Sequence, residues 1–101
     1  MAVKDLVETS VSGNTITIFS KSWCPYCKRA KALIASEFPD AQTKIYELDQ
    51  MEEGSDIQDY LLEKTKQKSV PNIFINKKHV GGCDDLVALN SQGKLAALVN
   101  A

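Results

Sequence analysis

Two cysteines three residues apart, at the joint between a β-branched run and a helical one, constrain this chain more than any other feature. The stretch reads Ser22-Trp23-Cys24-Pro25-Tyr26-Cys27-Lys28-Arg29. On a helix, residues i and i+3 share a face with Cβ atoms roughly 5–6 Å apart. A disulfide needs Cα atoms roughly 4.4–6.8 Å apart. Cys24 and Cys27 can therefore close a small ring and open it again with little backbone movement. Pro25 suits the first helical position, where a missing N–H costs nothing, which makes Cys24 the expected N-cap. An N-cap side chain accepts from the N–H groups of the second and third helical residues, here Tyr26 and Cys27. The positive end of the helix dipole lies at the same place. Lys21, Lys28, Arg29 and Lys31 stand nearby, with no acid between Lys21 and Lys31. Each of these effects favours thiolate over thiol, and the thiolate is the nucleophile. Cys24 is thus the expected nucleophile. Cys27, one turn further in and away from the strongest field, is the expected resolving thiol.

The rest of the composition narrows the setting. A chain of 101 residues, 44% hydrophobic and 25% charged, reads as one soluble domain able to bury a core without metal or disulfide staples. A net charge of −1 gives no bulk attraction for nucleic acid or membrane. The basic cluster is a local feature, suited to a small anionic partner. Three cysteines, Cys24, Cys27 and Cys83, are too few and too odd for a secreted disulfide framework. The first ten residues carry Asp5 and Glu8 and no apolar core of a signal peptide. A reducing compartment, by default the cytoplasm, is expected, and a monomer is the default state.

Periodicity supplies an element order. Residues 3–10 read as a short helix and Gly13-Asn14 as a turn. Thr15–Ser20 alternates and is β-branched, as a strand does. A helix is expected over about 25–37, stopped by Pro39-Asp40, then a strand over 43–48. A strand–helix–strand unit of this kind is a right-handed parallel crossover. Gly54-Ser55-Asp56 opens a helix to about residue 64 or 65, with Ile57, Tyr60 and Leu61 facing inward and Leu62 a further candidate for that face. Residues 72–75 form a third strand. Asn76-Lys77-Lys78 turns into a short strand at His79-Val80. A helix begins at Asp84-Asp85, and Ser91-Gln92-Gly93 interrupts it before residues 94–100. The order α-β-α-β-α-β-β-α gives a four-stranded mixed sheet flanked by helices on both faces.

Three motifs now stand at fixed distances: Trp23-Cys24-Pro25-Tyr26-Cys27, Ser69-Val70-Pro71 and Gly81-Gly82-Cys83-Asp84-Asp85. A lone Cys-x-x-Cys could equally be half of a zinc site. Together, in this order, the three resemble the glutaredoxins, and more narrowly the dithiol glutaredoxins with a Cys-Pro-Tyr-Cys centre. The resemblance covers essentially the whole chain. It implies a thioredoxin-like α/β three-layer fold over a single domain, residues 1–101. It also implies a glutathione-dependent thiol–disulfide oxidoreductase, with glutathione as co-substrate and no metal. Cys24 alone would serve protein–glutathione mixed disulfides, and Cys24 with Cys27 protein disulfides. The implied partners are glutathione, glutathionylated or disulfide-containing proteins and, indirectly, glutathione reductase.

The resemblance also assigns a seat for the tripeptide. Lys21 and Gln58 would meet the glycyl carboxylate, and Lys68 stands where relatives often carry a basic residue, with Gln67 a weaker candidate beside it. Tyr26 would pack its ring on the ligand. Pro71 would be cis, leaving the Val70 N–H and C=O free to pair with the cysteinyl residue as an added strand would. Gly82, Cys83 and Asp84 open a helix whose N–H groups form an anion site, suited to the γ-glutamyl carboxylate. Asp85 would take the ammonium group. Many relatives have Ser or Thr where Asp84 stands, so its contribution is either side chain or backbone. Cys83 lies outside the redox pair and reads as packing, and His79 as strand surface. Two alternatives differ in class. One is a thioredoxin served by a reductase, disfavoured by Pro-Tyr between the cysteines. The other is an iron–sulfur module bridged through Cys24 and glutathione, disfavoured by Pro25. A structural zinc site lacks a second ligand pair.

Overall fold

The computed structural model describes residues 2–101. A central sheet runs in the order β2-β1-β3-β4, from β1 (Ile16–Ser20), β2 (Thr43–Glu47), β3 (Asn72–Ile75) and β4 (Lys78–Gly81). β1 pairs in parallel with β2 and antiparallel with β3, and β3 antiparallel with β4. The helices are α1 (Val3–Gly13), α2 (Pro25–Glu37), α3 (Gly54–Thr65), α4 (Cys83–Ser91) and α5 (Leu95–Val99). This is the mixed four-stranded, helix-flanked sheet that the periodicity implies. Among the described residues no helix is long and apolar enough to cross a membrane.

The two central strands are buried throughout, and their alternation splits the core. Ile16, Ile18, Ile73 and Ile75 pack with Ala30 and Ile34 of α2, Leu86 of α4 and Leu95 and Val99 of α5. Phe19 and Phe74 point to the other face, against Val7 and Val11 of α1 and Ile57 and Leu61 of α3. Successive side chains of a strand leave opposite faces, so one register fixes both clusters. Phe19 stacks on Tyr46 at 5.5 Å and meets Phe74 edge-on at 6.1 Å.

The elements depart from the sequence reading in several places. α1 continues to Gly13 rather than stopping near Ser10, because Val11 adds one more buried contact to the Phe19 face. A 3-10 turn at Leu48–Gln50 follows β2. Its Leu48 enters the same cluster, and Gly54 lies against it so closely that a Cβ there would fall 1.8 Å from the Leu48 carbonyl oxygen. β4 starts at Lys78, after a turn made with positive φ at Asn76 (47°) and Lys77 (70°); the Asn76 amide donates to the Leu98 and Val99 carbonyls. α4 starts at Cys83 rather than Asp84. Leu62 stays on the outer side of α3, 39% exposed.

Candidate active site

The site forms where β1 ends and α2 begins. Cys24 is the N-cap residue of α2 with Pro25 at the first helical position. Its sulfur accepts the Cys27 N–H at 3.3 Å. Of the two expected donors, Cys27 alone serves; the Tyr26 N–H makes no such bond to the sulfur. The Cys24 thiol donates weakly to the Val70 carbonyl, 3.8 Å away, so the first and second motifs meet at this sulfur. All three cysteines are free thiols.

The two cysteines of the pair occupy different surroundings. Cys24 keeps an edge to the outside, 5% exposed, whereas Cys27 has none. Burial, helped by the hydrogen bond to Cys24, pushes the Cys27 thiol up to about 11, and the Lys21 N–H and Ser20 hydroxyl offset part of this. Cys83, also buried, is pushed up by desolvation and packs within the α2/α4 cluster.

The Val70–Pro71 peptide bond is cis. Beside it lies an open groove with one wall from Ser69, Val70 and Pro71, and the other from Gly82, Cys83, Asp84 and Asp85. Tyr26, 57% exposed, and Gln67 complete its lining. The Asp85 carboxylate accepts the Gly82 N–H at 2.9 Å. One of its oxygens is therefore committed to capping α4, in the manner of a capping box. Gly81, at φ 119°, leaves room for that carboxylate; a Cβ there would lie 2.3 Å from it.

The structure does not bring every expected ligand residue to this groove. Lys21, Gln58 and Lys68 lie outside its lining. The Lys21 ammonium sits 5.8 Å from the Trp23 ring. The Gln58 side-chain amide donates to the Lys68 carbonyl at 2.7 Å, tying α3 to the segment before Val70. Gln67 proves more central than expected: its amide donates to both the Ser69 and Pro71 carbonyls at 3.0 Å, bracing the groove wall from behind. The basic cluster is also less uniform than its sequence. Lys31 is paired to Glu47 at 2.7 Å.

Sequence reasoning passed over Asp49. Its carboxylate accepts the Ser22 N–H at 2.9 Å and the Ser22 hydroxyl, and these bonds lower its pKa. They pin the loop carrying Cys24 to the 3-10 turn. A signal was available: parallel pairing of β1 with β2 sets the residues that follow each strand side by side. His79, expected as strand surface, is exposed on β4; its ring lies 5.2 Å from that of Phe74 and reaches the Asn72 amide oxygen at 2.8 Å. Among the described residues no three of His, Cys, Asp or Glu cluster as a metal site would require.

Comparison with known proteins agrees with this geometry. Residues 16–80 match the glutaredoxin family model. The chain is 50% identical over 99 residues to glutaredoxin-1 of Rhizophagus irregularis, covering 98% of this chain and 96% of that one. It is 49% identical to glutaredoxin-2 of Schizosaccharomyces pombe over 95% of this chain and 86% of the relative. Among solved structures it is similar to that of a buckwheat glutaredoxin–glutathione complex, with a TM-score of 0.91 and 38% identity over 97% of this chain and 87% of the other.

Proposed function

The chain belongs to the glutaredoxin family, and on that premise we propose that Cys24 takes glutathione from protein–glutathione mixed disulfides, while Cys24 and Cys27 together reduce protein disulfides. As a glutaredoxin the protein is a glutathione-dependent thiol oxidoreductase. The observation that carries the finer reading is the placement of the Cys24 sulfur. It stands at a helix N-terminus, 3.8 Å from the Val70 carbonyl that begins the groove wall.

In the first reaction the Cys24 thiolate attacks the glutathionyl sulfur, the mixed disulfide breaks, and the substrate leaves as a thiolate that takes a proton from water. A second glutathione thiolate then attacks the sulfur carried on Cys24, releasing glutathione disulfide and restoring Cys24. Glutathione reductase closes the cycle. The groove suits the tripeptide in three ways. The Val70 N–H and C=O offer strand-like pairing to its cysteinyl residue. The N–H groups at the start of α4 suit the γ-glutamyl carboxylate. Asp85 is exposed and caps α4 with one oxygen only, which suits the ammonium group. In the second reaction Cys24 attacks a protein disulfide and Cys27 attacks the Cys24 sulfur, expelling the substrate's remaining thiolate. Both reactions need the pair reduced, which suits a reducing compartment such as the cytoplasm, and neither needs a second subunit or a metal.

A coupled assay tests the reading. Turnover of a small glutathione mixed disulfide is expected with glutathione and glutathione reductase as electron source. Turnover supported only by thioredoxin reductase would reverse the assignment.

A further inference from the structure

Strand-like pairing to a ligand depends on where the peptide groups at Val70 point, and one side chain holds the carbonyls on either side of that residue. Gln67 follows Lys66, whose left-handed backbone (φ 66°) ends α3. The Gln67 amide nitrogen donates to the Ser69 carbonyl and to the Pro71 carbonyl, each at 3.0 Å. A side-chain amide has two such donors, so both are spent on the residues that flank Val70. The reverse orientation would set the amide oxygen against two carbonyl oxygens. Gln67 is itself held. Its backbone N–H donates to the Thr65 hydroxyl at 3.1 Å. That hydroxyl donates to the Leu61 carbonyl at 2.7 Å and accepts from the Asn72 amide at 3.3 Å, which uses its one donor and both lone pairs. Asn72 is buried in β3. The brace is therefore anchored both at the last turn of α3 and in the central sheet.

The Ser69–Val70 peptide bond is trans. In a planar trans peptide the C=O and the N–H point in opposite directions. With the Ser69 oxygen on Gln67, the Val70 N–H is turned away from that amide, and among the described residues no backbone acceptor meets it. The Val70 C=O lies 3.8 Å from the Cys24 sulfur. We propose that Gln67 is a positioning residue: by holding the Ser69 and Pro71 carbonyls it aims the Val70 N–H at the bound glutathionyl group and steadies the Val70 C=O beside Cys24. This rests on the glutathione seat proposed above. Gln67 needs no contact with the ligand to act in this way, and it takes no part in the sulfur chemistry.

The test uses the full chain and two variants that lack the donors: Gln67→Met, close to the original length, and Gln67→Ala, shorter. Both are expected to raise KM for the mixed disulfide of glutathione and mercaptoethanol about fivefold, the worth of one typical net hydrogen bond. Their kcat should stay near that of the parent, as for a loss of binding shared by ground and transition states. Alkylation of Cys24 by iodoacetamide should keep the parent rate, because the sulfur and its place at the start of α2 are untouched. The Val70 amide resonance of the ligand-free chain should move in both variants. A rise in KM confined to Gln67→Ala traces the effect to lost bulk and overturns the proposal, as does an unchanged KM in both. A raised KM with the Val70 resonance in its parent position marks direct contact between Gln67 and the ligand, and overturns it too. So does slowed alkylation, which marks a general loosening around Cys24. If the parent chain does not saturate with this substrate, the glutathione seat itself fails and the inference with it.

Discussion

Asp85 has a structural task, and the functional one proposed for it can be separated from it. One carboxylate oxygen caps α4 through the Gly82 N–H, and the charge is available to an ammonium group. Asp85→Asn keeps an acceptor and removes the charge. Its melting temperature is expected to stay near that of the parent while KM for a glutathione mixed disulfide rises several-fold. Asp85→Ala should raise KM and also lose the cap, at about 1 kcal/mol of stability. A KM unchanged from the parent in Asp85→Asn would show that the charge has no part in binding. Cys27 offers a second residue-scale test, in its pH dependence. Burial first, then Cys24, raises its folded value to about 11, above the ordinary 9.0. The neutral thiol is therefore favoured by folding. That contribution is present below pH 9, where both states are protonated, and is lost as pH climbs towards 11 and the unfolded thiol ionises first. Melting scans across this window should fall less steeply for Cys27→Ser than for the parent; identical slopes would contradict the burial assigned to Cys27.

At the scale of elements, much of the site was legible in advance, because its signals are local. Cys24 and Pro25 fix the start of α2 by capping and by the missing N–H, and α2 begins at Pro25. The alternation of Thr15–Ser20 and the run at 72–75 placed both central strands. What escaped the sequence reading depends on packing between distant segments. The 3-10 turn at Leu48–Gln50 has no pattern of its own and exists where Leu48 fills the Phe19 cluster. Gln67 reads only as a weaker ligand candidate beside Lys68 until the fold turns its amide onto Ser69 and Pro71. Lys31 reads as one of the cations near Cys24 until the fold brings Glu47 beside it. The close approach of Gly54 to the Leu48 carbonyl gives a prediction at this scale. The clash is with backbone, which cannot rotate away, so Gly54→Ala should destabilise by about 1–3 kcal/mol, the range for an overpacked core. A thermal or denaturant melt matching the parent would mean that α3 can shift away from the turn without loss.

The whole molecule is a sheet with two unequal duties for its faces. α1 and α3 cover one face and are clasped by Glu8, which accepts from Tyr60 at 2.6 Å and pairs with Lys64 at 2.8 Å. α2, α4 and α5 cover the other. The reactive sulfur and both groove walls lie at one end, where β1, β3 and β4 run into α2, the segment before β3 and α4. No single element contains the site: α2 supplies the pair, the segment before β3 supplies Val70 and Pro71, and the turn into α4 supplies Gly82, Cys83, Asp84 and Asp85. This division is why the three motifs are so far apart in the chain yet identify one site together. It also separates the roles of the two thiols, since Cys24 faces the groove edge and Cys27 faces the buried end of β1. The most direct test of that separation is turnover of one glutathione mixed disulfide by Cys24→Ser and Cys27→Ser side by side, with glutathione and glutathione reductase. The account predicts no turnover above background for Cys24→Ser and turnover within a few-fold of the parent for Cys27→Ser. Substantial activity in Cys24→Ser, or its complete loss in Cys27→Ser, would contradict it.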